Sequence, residues 1–374
     1  MGPLQGFKIV EIAGIGPTQL CGMLLADMGA QLIRVCRPSG DEAFGDLDPR
    51  FNLMNRGRHS VVADLKSRKG VDLVLRLCKE ADAIFEGFCP GVMEKLGLGP
   101  DACQARNERL VYGRMTGWGQ AGPLANAAGH DTNFIALAGA LHGIGERDRP
   151  PPVPLNLIGD FGGGALYLAM GILAAMLESQ KSGKGQVVDA AMVDGTASML
   201  TMFYGLMAAG VWRDRRQSNF LDGAAPFAKV YRTADDKYVS VCAIEPDFFG
   251  ALLDALEIEE IDMADQWRTE DWAKHESIFA AAFRKKTRDE WDEILTGSNA
   301  CAAPVLSLAE APRHEHNEAR GTFVEIDGIE QPAPAPRFSR TPSEITHGPG
   351  DPGAHQHAAL QAWGLSEEEI RQLV

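Results

Sequence analysis

The chain has 374 residues, of which 45% are hydrophobic and 23% charged, the ordinary composition of a globular protein. This length exceeds one typical hydrophobic core, so we expect two domains. Acidic residues outnumber Lys and Arg by 51 to 36, giving a net charge of −15. Such a balance argues against nucleic acid or an anionic membrane as the main partner.

The cysteine pattern and the termini bear on the cellular compartment. Seven cysteines are scattered along the chain, with no CxxC pair and no metal-ligand spacing. The N-terminus lacks the charged-then-apolar pattern of a signal peptide. The longest apolar run, 165–177, is interrupted by Gly171 and is shorter than the roughly 18 residues that span a bilayer. The C-terminus does not match a Ser-Lys-Leu peroxisomal address. We therefore expect a cytoplasmic protein with reduced thiols, no membrane partner and no metal.

The first third alternates short apolar strands with helical patterns. Strands are predicted at 7–12, 31–35, 83–88 and 109–115, and helices at 18–28 and 70–80. This alternation predicts an α/β fold with a Rossmann-like, doubly wound parallel sheet, whose ligand contacts lie at strand ends. The turn Gly14-Ile15-Gly16-Pro17 lacks the third glycine of a dinucleotide fingerprint, so a nicotinamide cofactor has little support.

The pattern changes in the second half of the chain. A strand is predicted at 187–192, a Met-rich helical stretch to about 209, an antiparallel hairpin at 227–233 and 238–243, and helices at 247–256, 276–285 and 366–373. We predict a large domain from 1–188 and 332–374, linker helices at 189–221, a small α+β domain at 222–315 and a return linker at 316–331.

A helix is predicted to start at Asp160, in the segment 157–164 with sequence LIGDFGGG. An acidic residue at a helix start is common. Three glycines just inside a helix are not, since each costs roughly 1 kcal/mol relative to alanine. That cost is tolerable where the backbone approaches another backbone or a ligand closely. Two interpretations stay equally open: a site with a carboxyl group and free N–H donors, or an N-cap followed by a packing triplet of glycines.

His130, in Gly129-His130-Asp131, is a second titratable group upstream of Asp160. A lone histidine is more often structural or superficial. Together with Asp160, however, it supplies the acid and base that proton chemistry beside a carbonyl requires. Asn156 is placed to orient an imidazole. Glu245 either faces a cleft from the end of a small-domain strand or belongs to the N-cap region of the next helix.

Further motifs extend over nearly the whole chain. They are residues 14–17 (GIGP), 34–38 (RVCRP), 63–66 (ADLK), 90–99 (PGVMEKLGLG), 116–120 (TGWGQ), 129–131 (GHD), 155–164 (LNLIGDFGGG), 183–187 (GKGQV), 224–227 (AAPF), 243–246 (AIEP) and 301–305 (CAAPV). With these motifs, the sequence resembles the α-methylacyl-CoA racemases, which are members of the family III CoA-transferase superfamily.

The resemblance implies an enzyme that interconverts (R)- and (S)-2-methylacyl-CoA thioesters through an enolate, with no added cofactor. His130 and Asp160 would exchange the α-proton on opposite faces, and burial would raise the pKa of Asp160. The Asp160 N–H would donate to the thioester oxygen. Glu245, with Asn156 as a second support, would hold His130 in position. The resemblance also implies an interlocked homodimer.

Substrate-binding positions follow from the same resemblance. Those implied for the CoA thioester are Arg37, Ala63, Asp64, Leu65, Lys66, Gly87, Phe88, Cys89, Lys95, Gly129, Asp131, Phe134, Gly159, Phe161, Gly162, Gly163 and Gly164. Cys89 stands where the racemases usually carry Arg, which predicts CoA binding weaker by roughly 1–3 kcal/mol. Phe134 stands where Tyr is common, so a hydroxyl hydrogen bond is absent. For the acyl chain, Met192, Met199 and Met202 offer a flexible apolar face, although methionine stripes are more often core.

Three alternatives compete with the racemase. In a family III CoA-transferase, Asp160 would be the nucleophile. His130 favours the racemase, because a transferase needs no second proton carrier. A Rossmann-type reductase is disfavoured by the missing glycine, and a silent CoA-binding protein by the presence of His130, Asp160 and Glu245.

Overall fold

The computed structural model describes residues 2–39 and 47–374. The chain divides into two compact units, the first formed by residues 1–138, 154–200 and 321–374 and the second by residues 139–153 and 201–320. The predicted linker helices are thus divided between the units at residue 200. Residues 139–153, which lie inside the predicted large domain, belong to the second unit.

The described residues form strands and helices in the following ranges. The strands are β1 (Lys8–Ile12), β2 (Gln31–Cys36), β3 (His59–Val62), β4 (Ala83–Glu86), β5 (Val111–Thr116), β6 (Val187–Ala191), β7 (Ala228–Arg232), β8 (Tyr238–Cys242), β9 (Ala302–Pro304), β10 (Phe323–Ile326) and β11 (Ile329–Pro332). The α-helices are α1 (Pro17–Asp27), α2 (Arg68–Cys78), α3 (Val92–Lys95), α4 (Pro100–Gln104), α5 (Asp131–Leu137), α6 (Leu166–Ser182), α7 (Met192–Met199), α8 (Thr201–Ala208), α9 (Pro246–Ala255), α10 (Trp272–Phe283), α11 (Arg288–Leu295), α12 (Glu315–Arg320), α13 (Gln356–Ala362) and α14 (Glu367–Leu373). A π-helix, Leu157–Ala165, leads into α6.

The first unit is built on a six-stranded parallel sheet of order β3-β2-β1-β4-β5-β6, which confirms the predicted doubly wound fold. Successive residues of β1 point to opposite faces, so Val10 enters one apolar core and Ile9 the other. α2 covers the first face with Leu73, and α6 covers the second with Leu168. The strand order reverses between β1 and β4, where ligands bind in such sheets.

The second unit contains the antiparallel sheet β7-β8-β9. The hairpin predicted around residues 234–237 is confirmed by the pairing of β7 with β8. Helices α9, α10 and α11 pack on this sheet through an aromatic core that includes Phe227, Phe249, Phe279 and Trp291. This unit therefore has its own core.

Three elements differ from the predictions. Strand β3 was not predicted, and the predicted return linker 316–331 contains α12 and most of a β10–β11 hairpin. The helix predicted to start at Asp160 starts at Leu157, so a continuous helical stretch runs from Leu157 to Ser182. By length and composition alone this stretch could cross a membrane, contrary to expectation. Its Leu168 and Ile172, however, pack in the core of the sheet.

Candidate active site

The loops predicted to bind CoA follow the carboxyl ends of neighbouring strands. Arg37 follows β2, residues 63–66 follow β3, and residues 87–89 follow β4. Because these strands are parallel, the three loops share one edge of the sheet, beside the reversal of strand order. The exposed polar groups at this edge are Arg37, Asp64, Lys66, Cys89 and Lys95, whereas Ala63 is buried and Leu65 and Phe88 pack against the core.

Asp160 lies in the first turn of the π-helix and is half-buried. The helix is preceded by Leu155, whose φ of +59° is unusual for a bulky residue. The turn after β1 approaches the Asp160 carboxyl so closely that a Cβ on Gly16 would lie 3.1 Å from Asp160 Oδ2. Gly16 also has a φ of +62°, which favours glycine. The sequence marks this turn by its glycines but gives no sign of its contact with Asp160.

The amide of Asn156 donates a hydrogen bond of 3.1 Å to Asp160 Oδ2. The amide nitrogen is thus engaged by a carboxylate four residues along the chain, and the predicted support of His130 by Asn156 stays a prediction. The pKa of the Asp160 carboxyl is raised, first by burial and then by the charge of Asp131. Asn156 and His130 lower the pKa but do not cancel the shift, so its direction agrees with expectation.

Asp131 connects the two candidate proton carriers. Its Oδ2 accepts the backbone N–H of Gly159 at 2.7 Å and that of Asp160 at 2.8 Å. The Asp160 N–H was expected to be the donor to the thioester oxygen, and here it is already engaged by this carboxylate. Gly159 permits the contact, since a Cβ there would lie 2.7 Å from Asp131 Oδ2.

His130 is exposed and is the N-cap residue of α5. Its backbone N–H donates to Asn133 Oδ1 at 3.0 Å, which fixes the start of the helix. Its imidazole is close enough to Asp160 to lower the pKa of that carboxyl. As in the first turn of any helix, the N–H groups of Asp131 and Thr132 have no acceptor within α5 itself.

The glycine triplet packs against α7. A Cβ on Gly163 would lie 2.6 Å from Thr196 Oγ1, and one on Gly164 would lie 2.9 Å from Met192 Cγ. Both glycines are buried, so close packing of helices accounts for them. Gly162 is half-buried and faces Met199, whose Cε would be 3.3 Å from a Cβ at this position.

The three methionines predicted to bind the acyl chain have different surroundings. Met192 is buried in the core beside the large sheet, as methionine stripes more often are. Met199 is exposed beside Gly162, in the same turn region as Asp160. Met202 is exposed on α8, in the second compact unit. Of the two methionines in the first unit, Met199 is the one that contacts Gly162, two residues after Asp160.

Phe134 is buried, and two glycines make room for its ring. A Cβ on Gly117 or on Gly129 would lie 2.0 Å or 2.7 Å from Phe134 Cε1. The ring also packs edge-to-face on Trp118, with centroids 4.8 Å apart. The Phe134 ring thus packs without the hydroxyl of a tyrosine. Phe161, after Asp160, is half-buried.

Glu245 is exposed and is the N-cap residue of α9, but its side chain makes no capping hydrogen bond. The pKa of the Cys301 thiol is raised, first by burial and then by the negative charge of Glu245. The predicted contact of Glu245 with His130 stays a prediction. All seven cysteines are free. Within residues 2–39 and 47–374, no group of three or more His, Cys, Asp or Glu side chains is arranged to hold a metal ion.

Comparisons with known proteins extend over nearly the whole chain. A sequence profile described as CoA-transferase family III matches residues 4–357. The chain is 42% identical to the alpha-methylacyl-CoA racemase of Mus musculus and 41% identical to that of Homo sapiens, and each alignment covers 99% of this chain and 96% of the relative. A CaiB/BaiF family protein of Brucella suis superposes with a TM-score of 0.83 and 28% identity, covering 97% of this chain and 99% of that chain.

Proposed function

Because the chain belongs to CoA-transferase family III, we propose that it is a racemase that interconverts (R)- and (S)-2-methylacyl-CoA thioesters. The observation that carries the proposal is the identity of 41–42%, over 99% of the chain, to two proteins named alpha-methylacyl-CoA racemase. The proximity of His130 to Asp160 supports it, since racemisation needs two proton carriers.

In this reaction His130 removes the α-proton from one face of the thioester, and the Asp160 carboxyl delivers a proton to the other face. The reverse reaction exchanges these roles. Asp160 must therefore hold a proton when His130 is the base. Burial and the neighbouring Asp131 charge favour the protonated form of Asp160. Glu245 is proposed to orient His130.

The enolate oxygen needs a hydrogen-bond donor. The proposed donor is the Asp160 N–H. In the structure this N–H bonds Asp131 Oδ2 at 2.8 Å. The thioester oxygen would therefore have to share or replace that acceptor.

The CoA part of the substrate is proposed to lie across the carboxyl ends of β2, β3 and β4. Arg37, Lys66 and Lys95 are exposed cations at or after these strand ends and would face its phosphates.

The chemistry uses side chains and backbone N–H groups of this chain, so the proposed reaction has no separate cofactor. Met199 is the residue of the first unit proposed to meet the acyl chain.

A homodimer is proposed from the exposed apolar surface. Helix α8 has no buried residue although its sequence is TMFYGLMA, and Leu166, Met170 and Leu177 form an exposed stripe on α6. A second copy of the chain would cover such surface. Sedimentation equilibrium should give twice the chain mass; a monomer at micromolar concentration contradicts the dimer. We also propose that the protein is cytoplasmic.

The function is tested by deuterium uptake at the α-carbon of a 2-methylacyl-CoA in heavy water, with no acceptor acid. We expect exchange by the wild-type protein and losses of about 100-fold or more in His130→Ala and Asp160→Ala. A panel of 2-methylacyl-CoAs with different chains gives the substrate range. Absence of exchange, together with movement of CoA to an added carboxylic acid, would contradict the racemase and favour a CoA-transferase.

A further inference from the structure

Arg114 is held between two glutamates at the edge of the sheet where the CoA loops lie. On β5, it pairs in register with Glu86 at the end of β4, and its Nε donates to Glu86 Oε1 at 3.2 Å. Its Nη1 and Nη2 donate to the two oxygens of Glu94 on α3, at 2.8 and 3.2 Å. Arg114 and Glu86 are 7% and 1% exposed, so their positions are strongly constrained.

These bonds enclose the turn between β4 and α3, residues 87–91. The second oxygen of Glu86 accepts the Phe88 N–H at 2.6 Å, which fixes the start of the turn. At its end, Gly91 has a φ of +82° and its carbonyl accepts the Lys95 N–H at 3.1 Å. Glu94 immediately precedes Lys95. One guanidinium therefore determines where both ends of the turn lie.

Stability alone does not explain this arrangement. Burying an ion pair costs desolvation that the attraction only partly recovers. Burial raises the pKa of Glu86 to about 7, although the Phe88 N–H and Arg114 lower it. Arg114 also neutralises Glu94, a partly exposed carboxylate that would otherwise repel an anion beside Lys95.

We propose that Arg114, with Glu86 and Glu94, is a positioning residue that presents the 87–91 turn and Lys95 to the nucleotide phosphates of CoA. This inference rests on the proposed function for the identity of the ligand. The three residues act through the turn and do not touch the reacting atoms. Their loss should weaken binding of the nucleotide part and leave proton transfer intact.

The test variant is Glu94→Ala, because Glu94 is partly exposed and its removal leaves the buried pair of Arg114 and Glu86 in place. We expect the Kd of free CoA and the KM of the acyl-CoA to rise about fivefold, with kcat unchanged, since a partly exposed bidentate pair is lost. Inhibition by pantetheine, which lacks the nucleotide, should not change. Glu86→Gln, which removes the inner charge, should weaken CoA in the same way.

The matched control is Glu369→Ala, which removes a carboxylate bonded to another arginine, Arg76, at 2.7 Å on α2. Equal CoA affinity in Glu94→Ala and in this control overturns the inference, and so does an equal loss of pantetheine affinity. A fall in kcat with unchanged KM also overturns it. The Kd of free CoA is measured without turnover, so a failed exchange assay would contradict the proposed function and leave this measurement valid.

Discussion

Asp131 accepts the backbone N–H of Asp160 on its Oδ2, at 2.8 Å. The same oxygen accepts the Gly159 N–H, and Asp131 itself begins α5, directly after His130. One buried carboxylate thus ties the turn that carries Asp160 to the helix that follows His130. A buried side chain bonded to the backbone therefore sets the relation between the two proposed proton carriers.

Removing this carboxylate should loosen that relation. In Asp131→Ala, two N–H groups lose their acceptor, and we expect the free energy of unfolding to fall by about 1–3 kcal/mol. Deuterium exchange should fall about tenfold or more, because misplacement of a reacting group is costly. Urea denaturation and the exchange assay measure the two effects. The exposed Asp101, in the first turn of α4, gives the control Asp101→Ala. Equal stability of both variants would contradict the assigned role.

The sequence predicted the parallel sheet because its strands and helices alternate with clear periodicity, and β1, β2 and β6 lie within a residue of the predicted bounds. The β10–β11 hairpin was missed, although Asp327-Gly328 is a strong turn signal and both residues have positive φ. The prolines at 332, 334 and 336, beside this hairpin, are more typical of an extended segment than of paired strands. The early helix start at Leu157 follows an exposed residue of positive φ, Leu155, for which no local pattern exists.

The sequence suggested His130 and Asp160 as candidate proton carriers, but it did not predict the hydrogen-bond partners that the structure gives Asp160. Asn156 and Asp160 are four residues apart, a spacing that brings side chains together on a helix. That signal was available, but it requires the helix to begin before Asp160. The approach of Gly16 to Asp160 joins distant parts of the chain through the packing of α1 on the π-helix. A single sequence carries no pattern for such a contact.

Gly16→Ala tests that approach. Gly16 has φ +62° and ψ −111°, a conformation that residues other than glycine rarely adopt, so alanine there costs about 1–3 kcal/mol, and the new Cβ would also press on Asp160 Oδ2. We expect destabilisation of this size and about a tenfold loss of exchange. The control is Gly6→Ala, which shares the positive φ, here +91°, but has nothing within 4 Å of the added Cβ. If the rate of deuterium exchange falls equally in the two variants, the contact with Asp160 does not contribute to activity.

Asn156→Ala tests the hydrogen bond that lowers the pKa of Asp160. Without this donor, the ionised form of Asp160 loses stabilisation, so its pKa should rise further. The limb of the pH profile of kcat/KM that reports ionisation of Asp160 should therefore move to higher pH. Asn133→Ala is the comparison, since Asn133 bonds the His130 backbone rather than Asp160. An unchanged limb, or a shift to lower pH, would contradict the assignment.

The raised pKa of Asp160 also links stability to pH. Because the folded protein binds this proton more tightly than the unfolded chain, the contribution of Asp160 to stability is fully present below its ordinary pKa of 3.8. It is lost as the pH rises through the raised value. Above that raised value the carboxylate is ionised beside Asp131, in a half-buried position that penalises charge. The ionised form of Asp160 therefore disfavours folding.

Asp160→Asn removes that charge and should make the protein more stable and less active. We expect the free energy of unfolding at pH 7 to rise by about 0.5 kcal/mol, a small value because partial exposure screens the charge. The gain should shrink as the pH falls toward 3.8, the ordinary pKa of an aspartate, because protonation of Asp160 in the wild type removes the same charge. Exchange should fall about 100-fold or more, since the amide cannot carry the proton. Denaturation at the two pH values measures the first effect, with Asp101→Asn as the comparison for an exposed carboxylate. A variant less stable than the wild type at pH 7 would mean that the ionised carboxylate holds the fold together, contrary to the effect of its burial.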